Sequence, residues 1–142
     1  MKECRGIISL FFRVPVLALF LAMSNASFAE VPDISQAELM QRIKASHAQL
    51  ILDVRSPEEY NEGHIPGAIN IPHNQVGSHL SEIISHKNNE VVLYCRSGKR
   101  AAIAADTLQS AGFSKLLHLD GDMYDWQNNG KLPVVKQPCT SC

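Results

Sequence analysis

Short apolar runs alternate with amphipathic stretches along most of the chain, and the alternation predicts strands and helices in turn. Leu50-Ile51-Leu52-Asp53, Ala68-Ile69-Asn70-Ile71, Glu90-Val91-Val92-Leu93-Tyr94 and Leu116-Leu117-His118-Leu119 are nearly continuous apolar runs rich in aliphatic residues. Such runs read as strands covered on both faces. Ser35-Gln36-Ala37-Glu38 has the form of a capping box opening a helix, with Ala37, Leu39, Met40 and Ile43 at helical spacing. Ser56-Pro57-Glu58-Glu59 has a cap, a proline at the first helical position and a glutamate where a capping box needs one. It predicts a short helix, ended by Gly63-His64-Ile65-Pro66-Gly67. Val76 to Ile84 reads as one helix with Leu80, Ile83 and Ile84 inward, and the alanine-rich run from Ala101 to Leu108 as another that stops near Gly112. A last helix is predicted around Met123 to Trp126, with Trp126 as a core anchor. Alternating elements of this kind imply an α/β fold, a parallel β-sheet flanked by helices on both faces. The carboxyl ends of its strands converge on one edge, which brings Asp53 and Arg55 next to the segment after Tyr94.

The first residues do not fit that alternation. Lys2, Arg5 and Arg13 precede the apolar stretch Val14 to Met23, and Ser27-Phe28-Ala29 supplies the small residues that a signal peptidase reads. Residues 1–29 are therefore expected to be a cleaved export signal, with the mature protein periplasmic. The apolar stretch is about half the ~20 residues a membrane anchor requires, so no stable anchor is expected. Cys4 lies ahead of the apolar stretch and is read as incidental. One domain, residues 30–135, and a tail, residues 136–142, account for the rest. The net charge is −1, and it becomes −3 once Lys2, Arg5, Arg13 and Glu3 leave with the signal. That balance argues against a nucleic-acid or anionic-membrane partner.

Chemistry concentrates in Cys95-Arg96-Ser97-Gly98-Lys99-Arg100. One thiol follows an apolar strand and precedes a helix, where unpaired N–H groups and the positive dipole end favour a bound anion. Arg96, Lys99 and Arg100 add positive charge, and all of these favour the nucleophilic thiolate over the thiol. A buried structural cysteine beside a basic turn is the plainer alternative. Four residues separate Cys95 from Arg100. The phosphate-cradling loop of cysteine phosphatases is one residue longer, so this one suits a smaller guest.

The loop resembles the active-site loop of the rhodanese family of sulfurtransferases, whose guest is the outer sulfur of a cysteine persulfide. Leu52-Asp53-Val54-Arg55 is similar to the family's first strand and its end, and Glu62-Gly63-His64-Ile65-Pro66-Gly67-Ala68-Ile69-Asn70-Ile71-Pro72 to its longest signature. Leu119-Asp120-Gly121-Asp122-Met123-Tyr124-Asp125-Trp126, with Gly130 and Pro133 beyond, is similar to its closing segment. The family usually has two adjacent glycines there. Asp122 departs from that pattern, loosening the expected closing turn and adding a carboxylate near the last helix.

The resemblance implies a double displacement in which Cys95 is the nucleophile and carries the persulfide. Arg96, Ser97, Gly98, Lys99 and Arg100 form the substrate site, their N–H groups around the sulfur and their cations on a small anionic donor such as thiosulfate. A thiophilic acceptor, cyanide or a thiol, then removes the sulfur, and neither a metal nor an organic cofactor is implied. Asp53 and Arg55 are expected to support the loop as a strand-end ion pair, with Glu62 a second partner for Arg55. His64 is read as a turn residue bonding to backbone, and His47, His73, His79, His86 and His118 as surface or strand residues without metal-ligand spacing. A persulfide carrier between proteins is the alternative function. Cys139 and Cys142 form a Cys-x-x-Cys pair in the tail, read as a local disulfide or as a relay toward the Cys95 persulfide, with a thiol-redox protein as the partner the pair could engage.

Overall fold

The computed structural model of the chain describes residues 30–47 and 49–137. The export signal expected in residues 1–29 and the pair Cys139 and Cys142 lie outside the described residues. Five strands, β1 (Asp33–Ile34), β2 (Leu50–Asp53), β3 (Ala68–Asn70), β4 (Val91–Tyr94) and β5 (Leu116–Leu119), form one sheet in the order β1-β5-β4-β2-β3. Every strand pair is parallel. The helices are α1 (Gln36–Lys44), α2 (Pro57–Glu62), α3 (Leu80–Ile83), α4 (Lys99–Ser110) and α5 (Asp122–Asn128).

Alternation along the strands divides the core in two. Leu50 and Leu52 of β2, Val91 and Leu93 of β4 and Leu116 of β5 pack with Ala101, Ala104, Ala105 and Leu108 of α4 and with Val76, Ile83 and Phe113. Small side chains along α4 bring it close to the sheet. On the opposite face Ile51, Val92, Tyr94 and Leu119 meet Leu39 of α1 and Met123 and Trp126 of α5. Cys95, one residue past β4, falls on the α4 side. The sheet is thus covered on both faces, as the continuous apolar strands require.

Two elements differ from the sequence-based expectation. Val76 to Ile84 is not one helix: 3₁₀ turns at Val76–Ser78 and Ile84–His86 flank the single turn of α3. Neither 3₁₀ turn nor α3 has a side-chain cap, and Gly77 lowers helix propensity. Ile83 is buried as expected, whereas Ile84 is half exposed. β1 is an addition, two residues pairing with His118 and Leu119 at the sheet edge. At the two predicted caps, Ser56 and Glu59 form the complete capping box. Ser35 caps α1 through the Glu38 N–H, but the Glu38 carboxylate turns to Arg42.

Order along the chain sets the position of the site. From β2 the chain moves outward to β3, and from β4 it moves outward the other way to β5. The carboxyl ends of the neighbours β2 and β4 therefore open onto the crevice where such sheets bind ligands. Trp126 closes the second core from the far side, fully buried, with its Nε1–H donating to the Pro133 carbonyl at 3.0 Å. Trp126→Ala is expected to cost about 3–5 kcal/mol, measured as the loss of unfolding free energy in urea followed by circular dichroism.

Candidate active site

β2 and β4 end in register, Asp53 opposite Tyr94, so that the segments carrying Arg55 and Cys95 leave the sheet side by side. Asp53 and Arg55 are both buried and form the expected ion pair. The guanidinium donates to both Asp53 oxygens, at 2.6 Å for the shortest contact, and to the Gly63 carbonyl at 2.8 Å. The Arg55 backbone N–H also donates to Asp53 Oδ1 at 3.0 Å. Burial works against the Arg55 charge, but the Asp53 carboxylate outweighs it and raises the Arg55 pKa. The guanidinium carbon lies 5.7 Å from the centroid of the Tyr94 ring. Burial, reinforced by the Asp53 charge, pushes the Tyr94 hydroxyl far up, so it stays neutral and accepts the Ile65 N–H at 3.1 Å. Glu62 does not pair with Arg55, contrary to expectation. It is exposed at the end of α2, and Asp53 and Gly63 take the inward donors instead.

Cys95 is 1% exposed, and its Sγ accepts the Gly98 N–H at 3.1 Å. Gly98 has φ of +90°, a conformation that favours glycine, and its O accepts the Ala102 N–H at 2.9 Å as α4 begins. α4 starts two residues earlier than the alanine run implied, which places Lys99 and Arg100 in its first turn. Cations there oppose the helix dipole. Arg100 is compensated by Glu59, which takes its two terminal nitrogens at 2.6 and 2.9 Å. The Arg100 hydrogen bonds hold Glu59 down to about 2, and Glu59 in turn raises Arg100, which also faces the Cys95 sulfur. Arg100 is therefore held between Glu59 and the Cys95 sulfur, within reach of the reacting atom. Arg96 and Lys99 are exposed, and neither forms an ion pair among the described residues. Arg96 joins Arg55, Glu59, Glu62, Met123 and Tyr124 around a cavity of about 300 Å³. Ser97 is exposed on the outer rim of the loop.

The start of α5 holds the loop from behind. Cys95 and Arg96 carbonyls accept the N–H groups of Met123 and Tyr124, each at 3.1 Å. Asp122 itself adopts φ of +51°, the left-handed conformation that a second glycine would supply. The closing turn is tight after all. Its buried carboxylate accepts the Cys95 N–H at 2.7 Å through Oδ1 and meets His118 Nε2 at 3.0 Å through Oδ2. His118 Nδ1 lies 2.8 Å from Asp33 on β1. Expected to be a plain strand residue, His118 is held between two carboxylates. Asp122 chiefly, with Asp33, raises it to about 9, so the imidazolium stabilises the fold fully below its ordinary value and this is lost as pH rises through about 9. His64 behaves as read, its Nδ1 2.9 Å from the Tyr60 carbonyl and its ring stacked on Tyr60.

The family model of the rhodanese-like domain matches residues 35–129. A putative sulfur carrier protein, YrkF of Bacillus subtilis, is 35% identical over 103 residues, which make up 72% of this chain and 55% of that protein. The chain thus spans about half of that relative's length. A sulfurtransferase of Allochromatium vinosum is 36% identical over 105 residues, covering 74% of this chain and 95% of that one. Among solved structures, the human single-domain sulfurtransferase TSTD1 superposes with a TM-score of 0.61 at 29% identity, covering 70% of this chain and 97% of that one.

The ion pair between α2 and α4 generates a prediction. Because Glu59 is depressed in the folded state, its contribution is present above its unfolded value and is lost as pH falls through about 2. Glu59→Gln is expected to lose about 1–2 kcal/mol at pH 7, the part-exposed setting keeping the figure modest. In denaturant titrations the difference from the wild-type protein should shrink as the pH is lowered toward 2.

Proposed function

The chain belongs to the rhodanese-like domain family, and on that premise we propose that it transfers sulfane sulfur through a persulfide on Cys95, with thiosulfate as donor. The observation that carries the proposal is the Cys95 sulfur at the β4–α4 junction, accepting the Gly98 N–H at the base of a basic loop. In the loading step the Cys95 thiolate attacks the outer sulfur of thiosulfate, the bond between the two thiosulfate sulfurs breaks, and sulfite leaves with its electron pair. Charge is conserved, the persulfide anion replacing the thiolate and sulfite replacing thiosulfate. In the unloading step a thiophile, cyanide or a thiolate, takes the outer sulfur and regenerates the Cys95 thiolate. The N–H groups of the loop stabilise the anionic sulfur as oxyanion-hole donors stabilise oxygen. Arg96 and Lys99, the cations without a fixed partner, draw in the sulfonate end of the donor.

Similarity to a sulfur carrier supports a second reading, in which the same persulfide is filled or emptied by another protein. The two readings share Cys95 and differ in turnover with small donors.

Intact-mass analysis after thiosulfate should find one added sulfur, located on the peptide that contains Cys95. Cys95→Ser should retain the fold, take up no sulfur and produce no thiocyanate from thiosulfate and cyanide. Uptake by the folded serine variant would reject Cys95 as the nucleophile. Loading of the wild-type protein with turnover far slower than transfer from a protein partner would favour the carrier.

Charge supplies a second test. Arg96→Ala and Lys99→Ala should each slow thiosulfate loading roughly threefold at low ionic strength, a difference that narrows as salt screens exposed charges. Arg100→Ala should differ from both by also lowering stability, since it leaves Glu59 without its partner.

A further inference from the structure

Asp122 stands where a second glycine would give the left-handed turn without adding any charge, and three observations connect it to the reacting sulfur. Its Oδ1 takes the backbone N–H of Cys95 at 2.7 Å. Its Oδ2 meets His118 Nε2 at 3.0 Å. At Gly98, whose N–H reaches the sulfur, a Cβ would lie 3.2 Å from Asp122 Oδ2 and 3.6 Å from the His118 ring. The carboxylate and the imidazole therefore lie directly behind both ends of the turn that holds Cys95. At 3% exposure Asp122 has little water to screen its charge.

An unopposed buried carboxylate at this place disfavours the thiolate, the persulfide anion and the anionic donor together. His118 opposes it while protonated. We propose that Asp122 and His118 are positioning residues for sulfur loading: Asp122 aligns the Cys95 amide, and the imidazolium cancels the charge that this alignment places behind the sulfur. The inference rests on the sulfur-transfer reading and adds to it a pair of residues that do not touch the donor. The ionised form of His118 persists to about pH 9 because of Asp122 first and Asp33 second. The groups facing the pair are Asp33 from β1, Cys95 of the loop through its backbone N–H, and Glu30 and Asp106, which line with His118 a groove along α4.

The test measures single-turnover persulfide formation with thiosulfate on the full chain between pH 6 and 10, for the wild-type protein, His118→Gln, Asp122→Asn and the double variant. Alkylation of Cys95 by iodoacetamide, a neutral reagent, is followed in parallel. It reports on the thiolate whether or not thiosulfate is a substrate, so failure of sulfur transfer and failure of the pair are distinguished. Wild-type loading is expected to decline as pH rises through about 9. His118→Gln should load about tenfold more slowly than wild type at pH 7.5 and show no such decline. Asp122→Asn keeps an oxygen for the Cys95 N–H and removes the charge, so it should abolish the decline. Added to His118→Gln, it should restore most of the lost rate at pH 7.5. A purely structural role predicts no rescue, since the double variant then has two defects. Wild-type-like loading by folded His118→Gln, or a double variant no faster than it, would overturn the proposal. Should His118→Gln not fold, persistence of the high-pH decline in Asp122→Asn would overturn it equally.

Discussion

A guanidinium with almost no access to water has to find its partners inside the protein, and the buried Arg55–Asp53 pair makes that requirement organise the site. Asp53 ends β2, the Gly63 carbonyl lies between α2 and β3, and the ring beneath the guanidinium belongs to Tyr94 at the end of β4. One side chain thus fixes three segments. The β2 exit determines where Ser56 caps α2, and α2 carries Glu59 to Arg100 at the start of α4. Replacing either member of the pair would leave a bare buried charge, a far larger cost than losing an exposed salt bridge.

Electrostatic compensation recurs around the loop. Arg100, unfavourably placed at a helix N-terminus, is offset by Glu59, and Asp122, unfavourably placed behind the sulfur, is offset by His118. Around the sulfur stand the Gly98 N–H, Arg100 with Glu59 behind it, and the exposed charges of Arg96 and Lys99, which form no ion pair among the described residues. A loop that looks uniformly basic as a string of letters therefore holds one of its three cations in an ion pair and leaves two exposed.

The parts visible in the sequence are those governed by local chemistry. The capping box at Ser56, the apolar strands and the thiol between strand and helix each follow from a few consecutive residues. What stayed hidden depends on distant partners. Glu59 satisfies its capping role, and nothing in its neighbourhood reveals that it also holds Arg100, 41 positions away. β1 is too short to show a period and exists because β5 offers an open edge. The apolar spacing of Val76 to Ile84 is helical, yet periodicity does not register the missing caps that break it into turns. The aspartate after Gly121 reads as a flaw in a glycine turn. Its adoption of the glycine conformation and its burial on the Cys95 amide become evident only in three dimensions.

The depth of the thiol separates vulnerability from delivery. At 1% exposure the bare Cys95 sulfur is shielded by its own loop from bulky electrophiles and from stepwise oxidation by large agents. A sulfur added to it stands one disulfide bond length, about 2 Å, further out. On the proposed chemistry the acceptor meets the added sulfur and not the anchoring atom. The recess acts as a size filter: a slender donor reaches the cysteine to load it and a slender nucleophile reaches the outer sulfur to unload it, while bulky reagents are kept from both.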